Sequence, residues 1–139
     1  MMMMGSGIFS PKGFLMAGGI VLLALGIVGY LGIFTKAAYP GFYLDDGENI
    51  AHVVLGVVAL AALYVPGLNR GLAPYYRWIV LLVGVIALFF GIYGFVVAGN
   101  AAPNTFGISN LESPADNLLH LVVAAWAFLA GWKSAPSMA

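Results

Sequence analysis

Four long apolar stretches, separated by short polar segments, set the pattern of this chain. An α-helix rises 1.5 Å per residue, so crossing a hydrocarbon layer about 30 Å thick takes about 20 apolar residues. The stretches reach that length at residues 13–34, 46–65, 75–98 and 114–132. Pro66 and Gly67 close the second, because proline lacks the N–H that a helix interior needs and glycine tolerates a helix end. Tyr75, Tyr76 and Trp78 open the third with amphipathic rings suited to the headgroup level. Residues 5–12 read as a short interfacial arm, 69–74 as a polar turn, and 99–112 as a loop rich in Asn, Gly, Pro and Ser. The pattern predicts an all-α integral membrane protein, with residues 1–139 forming a single four-helix transmembrane domain. The first stretch is read as a retained helix. It is longer than the 7–15 residue core of a signal peptide, its flank is barely basic, and no A-x-A site follows.

The polar openings of the second and fourth stretches resemble each other. Shifting residues 45–52 by 68 pairs Asp45 with Ser113, Glu48 with Asp116, Asn49 with Asn117 and His52 with His120. Gly26-Ile27-Val28-Gly29-Tyr30 likewise matches Gly91-Ile92-Tyr93-Gly94-Phe95 at an offset of 65, and Gly19 matches Gly84. The different offsets are absorbed by a longer second loop. Equivalent elements two helices apart cross the membrane in the same sense, so the expectation is two parallel-repeat helical hairpins, 13–65 and 75–132, about an axis along the membrane normal. The stripe of Gly26, Gly29 and Gly32, echoed by Gly91 and Gly94, is expected to let helices approach closely.

Composition narrows the function classes. The chain is 63% hydrophobic and 7% charged, against about 25% charged residues in ordinary soluble domains. Five Lys/Arg balance five Asp/Glu, so nothing indicates nucleic-acid binding. Cysteine is absent, which removes disulfides, thiolate metal sites and cysteine nucleophiles. The loops are too short to build a catalytic domain, and no enzymatic activity is expected.

The repeated openings carry the candidate chemistry. Asp45 with Glu48, and Ser113 with Asp116, have the spacing of an N-cap and its third helical residue, and Pro114 suits the first helical position. Glu48 and Asp116 also precede their histidines by four residues, on the same helix face, where a carboxylate fixes an imidazole tautomer. His52 and His120 lie seven residues beyond the caps, about 10 Å into each helix. Ionisable groups at such depth face the bundle interior or a partner.

Three readings follow. In one, Asn49, Asn117, the acids and the histidines form a polar network tying the hairpins together, the asparagines bonding across helices. In another, His52 and His120 are axial ligands of haem or (bacterio)chlorophyll, with Gly56 and Ala124 leaving room for a flat ring, and Glu48, Asn49, Asp116 and Asn117 support them. In the last, two histidines and two carboxylates hold a metal such as zinc or relay protons.

The doubled opening, Glu48-Asn49-Ile50-Ala51-His52-Val53-Val54-Leu55-Gly56 and Asp116-Asn117-Leu118-Leu119-His120, resembles a family of small bacterial membrane proteins of unknown function that carry N-x-x-H-x-x-x-G on a four-helix frame. The similarity spans about residues 13–132, with Ala124 standing where that pattern favours glycine. It implies a bacterial inner membrane and four spans, and brings no activity with it. The expected function is a small non-catalytic multi-pass subunit or partner within a larger membrane complex. The alternatives are a tetrapyrrole-binding subunit of a respiratory or photosynthetic assembly, and a small metal- or proton-handling membrane protein. The expected partners are the lipid bilayer and other membrane protein subunits.

Charge orients the bundle. Lys12, Arg70, Arg77 and Lys133 fall on one side, and Lys36 with every acid on the other. Basic flanks of short loops mark the cytoplasmic face, so both termini are expected inside and the acidic loops 36–45 and 99–113 outside. Cysteine placed at Asn104 of this Cys-free chain should react with an impermeant maleimide on intact cells, while cysteine at Asn69 should not. The opposite labelling would reverse the orientation.

Overall fold

A computed structural model describes residues 7–133, so residues 1–6, including the start of the expected interfacial arm, and residues 134–139 lie outside it. The described chain forms α1 (Pro11–Tyr30), α2 (Asp46–Tyr64), α3 (Pro66–Leu72), a 3₁₀ turn (Ala73–Tyr75), α4 (Tyr76–Val96) and α5 (Ala115–Lys133). α1, α2, α4 and α5 are each long and apolar enough to cross a membrane. α1 packs along α2 and α4 along α5, while α1 also touches both helices of the second hairpin.

Capping explains where the helices start and stop. α1 begins two residues earlier than the hydropathy pattern suggests, because the Ser10 hydroxyl accepts the Gly13 N–H at 3.0 Å and Pro11 occupies the first turn. It ends at Tyr30 rather than Phe34, as Gly32 turns the chain with φ +76°, a conformation that suits glycine. Asp45 and Glu48 form the expected capping box on α2. The expected polar turn at 69–74 is instead helical. Val65 is extended and Pro66 restarts a short helix. The Asn69 carboxamide then turns back to donate to Leu63 O at 2.8 Å, which satisfies a carbonyl left open at the end of α2.

The two ends of the bundle are held differently. Near the described chain ends, Phe14, Leu15, Ala62, Leu63, Tyr76, Val80, Ala127 and Ala130 form an apolar core. Phe14 meets Trp126 edge-on at 4.5 Å, the Trp126 indole donates to Ile8 O at 2.7 Å, and the Tyr76 hydroxyl donates to Ala62 O at 2.6 Å. At the opposite end the loops meet through polar side chains.

Within each hairpin, glycines allow the close approach. Gly19 faces Ala59 and Leu60, Gly26 faces Val53, and Gly29 faces the Asn49 carboxamide. In the second hairpin Gly84 faces Ala127 and Phe128, Gly91 faces Leu121, and Gly94 faces the Asn117 carboxamide. Each of these three glycine contacts in the second hairpin lies 65 and 68 residues beyond one in the first. A Cβ at Gly29 or Gly94 would coincide with the asparagine Oδ1.

Candidate polar site between the hairpin loops

Asp45 joins the two hairpins at the polar end. As the α2 cap, its Oδ1 accepts Glu48 N–H at 2.9 Å, and Glu48 Oε1 accepts Asp45 N–H at 3.0 Å. The same carboxylate reaches the loop of the other hairpin. The Ser109 hydroxyl lies 2.9 and 3.1 Å from its two oxygens, and Asn110 N–H donates to Oδ2 at 2.8 Å. Asn104 holds that loop in shape by donating to Leu111 O at 3.1 Å and accepting Leu111 N–H at 2.9 Å.

Glu112 enters the site from this loop, a residue that the repeated motif does not contain. Its Oε1 accepts Tyr43 N–H at 3.3 Å from the first hairpin, and its Oε2 accepts from the Asn110 carboxamide at 2.9 Å. Its own N–H donates to Asp116 Oδ2 at 2.8 Å. α5 therefore starts differently from α2. The expected Ser113 cap is replaced by Asp116 reaching back to Glu112, while the Ser113 hydroxyl accepts from the Asn117 carboxamide at 2.8 Å.

These bonds bring Glu48, Glu112 and Asp116 together, with one oxygen of each within 4.8 Å of the others. Two ionised carboxylates at that distance repel by about 3–4 kcal/mol at an effective dielectric constant of 20. Lys36, the lysine of this face, lies 5.8 Å above the Tyr43 ring and lines, with Glu112, a shallow cleft of about 270 Å³. The cluster favours uptake of a proton or a cation. An all-oxygen set suits a hard cation better than the zinc expected of a histidine-containing site, and the histidines are not members of the group.

Glu48 and Asp116 do not set the imidazole tautomers as the four-residue spacing suggests, because their carboxylates turn to Asp45 N–H and Glu112 N–H. His120 is oriented by backbone instead. Its Nδ1 lies 2.7 Å from Asp116 O. A proton on Nδ1 makes that bond and leaves Nε2 as the basic nitrogen. Phe90 flanks the ring at 5.9 Å. His52 is half-buried, and its Nδ1 has no hydrogen-bond partner. Asn49 and Asn117, 2% and 0% exposed, do not bond across the hairpins; each oxygen lies against the glycine of its own hairpin, with no conventional donor. Neither the cleft beside Lys36 nor a second of about 350 Å³ beside Lys12 and Arg77 is lined by a histidine.

Comparison of the chain with protein-family models, curated proteins and solved structures finds no match.

Burial pushes the Glu112 carboxyl up from 4.5 to about 7; the Asp116 charge acts in the same direction, and the Asn110 and Tyr43 donors oppose it. A carboxyl with a raised folded pKa binds more protons folded than unfolded, so its contribution is greatest below pH 4.5 and is lost as the pH rises to about 7. The melting temperature in detergent should fall across that window. Glu112→Gln, which keeps the neutral form at every pH, should flatten the fall; an unchanged slope would remove Glu112 as its source.

Proposed function

We propose that this protein is a non-catalytic multi-pass membrane subunit, a duplicated helical hairpin that works by associating with other membrane proteins, with its termini on the cytoplasmic side. One observation carries the reading: the carboxylates at the polar end are engaged by groups of the protein itself. Asp45 binds its own helix and the opposite loop, Glu112 binds both hairpins, and Asp116 closes the start of α5. Groups engaged in this way hold a shape and leave little free chemistry for a substrate. The resemblance of the N-x-x-H openings to the small bacterial family supports placement in a bacterial inner membrane.

The tetrapyrrole reading retains one specific support. A histidine whose Nδ1–H is fixed by a backbone carbonyl presents Nε2 to a metal, the usual arrangement for a ligating imidazole, and His120 has it.

Both readings are tested on one preparation, extracted in mild detergent from the source membrane. The subunit reading expects co-migration with other polypeptides in stoichiometric amount, without a Soret or chlorophyll band. A lone colourless chain would contradict it. A band lost in both His52→Ala and His120→Ala would replace it with the tetrapyrrole reading.

A further inference from the structure

The loop between α4 and α5 does not remain above the helix ends. Thr105 and Ser109 pair as an antiparallel bridge, with Thr105 N–H to Ser109 O at 3.0 Å and Ser109 N–H to Thr105 O at 3.3 Å. Phe106, Gly107 and Ile108 form its tip. Phe106 has φ 53°, a left-handed conformation that is unfavourable for a non-glycine residue and persists where packing fixes it.

The packing lies against α4. The Phe106 ring stacks on Tyr93 at 5.3 Å with planes 17° apart and meets Phe90 edge-on at 6.3 Å. Tyr93 and Phe90 precede the end of α4, Val96, by one and nearly two turns, which places them about 4–5 and 9 Å below it. The tip thus folds back beside the last two turns of a helix apolar enough to span a bilayer.

The two sides of this loop differ in chemistry. Ser109, Asn110 and Asn104 turn inward, to Asp45, Glu112 and Leu111. Phe106 and Ile108 turn outward, 61% and 74% exposed, and Phe106 packs on Tyr93 of α4, the helix that also carries exposed Ile92 and Val96. Within the turn Ile108 N–H donates to Thr105 O at 3.1 Å, and the tip's remaining backbone groups need water or headgroups as partners, which sets its depth at the headgroup level and not in the hydrocarbon core.

We infer that Phe106 and Ile108 insert into the adjacent lipid leaflet, at the boundary between headgroups and acyl chains, as an anchor that holds the α4–α5 loop against the membrane. The inference rests on the membrane-spanning reading. Lipid is the occupant because the tip lies beside the final turns of a span and exposes apolar side chains there, and aromatic rings favour that boundary.

The Cys-free chain allows nitroxide labels at Ile108→Cys, at Ala102→Cys in the same loop, and at Ile86→Cys midway along α4, in full-length protein reconstituted in phosphatidylcholine vesicles. The Ile108 label should collide more with oxygen and several-fold less with a water-soluble nickel complex than the Ala102 label, approaching the Ile86 value. Nickel access equal to that at Ala102 would overturn the insertion. Shielding from both reagents would overturn it in favour of a protein contact. Nickel access at Ile86 would overturn the spanning reading and the anchor together, whereas a lipid-like Ile86 with a water-like Ile108 removes the anchor alone. Ile108 is a surface position, so its substitution leaves the packing beneath it unchanged.

Discussion

Each hairpin closes where a buried asparagine oxygen occupies the space that a side chain would take on the facing helix. Asn49 meets Gly29 and Asn117 meets Gly94 in this way. A carboxamide at this depth in a bilayer is unfavourable against lipid, and its removal from the apolar surface favours a single arrangement of each helix pair. The oxygens have no N–H or O–H donor, so their polar contact is with the glycine Cα–H groups, a weak bond that recurs where helices meet closely. Gly26 and Gly91, one turn away, extend the close approach along each seam.

The polar ends of α2 and α5 lie at the same end of the bundle. There the loops, rather than the helices, join the hairpins, through Asp45 to Ser109 and Asn110 and through Glu112 to Tyr43. The bundle is therefore asymmetric in chemistry. One end is held by Phe14, Trp126, Tyr76 and small alanines. The other is held by hydrogen bonds to carboxylates, three of which lie within 4.8 Å of one another, where a proton or a cation relieves their repulsion.

The spans were legible because bilayer thickness sets a length that apolar runs must meet, and the Asp45–Glu48 capping box followed from spacing alone. The shifts at the ends of α1 came from the Ser10 cap and the Gly32 turn, local chemistry that hydropathy does not register. The glycine stripe and the asparagines were both visible as features, but their meeting depends on the rotation of one helix against another, which no spacing along a single helix specifies. Glu112 was hidden by the repeat itself, since shifting it by 68 residues lands on Leu44, so it belongs to no shared motif. Its position four residues before Asp116 was the available signal. The tautomer role given to Glu48 and Asp116 failed because nearby backbone N–H groups compete for carboxylates at helix starts.

The contact between asparagine and glycine is tested most directly by adding one methyl group. Gly29→Ala and Gly94→Ala should each lower stability in detergent by about 1–3 kcal/mol, the usual cost of overpacking. Gly18→Ala, at a position where a Cβ meets nothing within 4 Å, should be neutral. Asn49→Ala should recover part of the loss in the Gly29→Ala protein, because it empties the space the new methyl needs. Thermal midpoints for Gly29→Ala and Gly94→Ala equal to that of Gly18→Ala would show that neither hairpin depends on this contact.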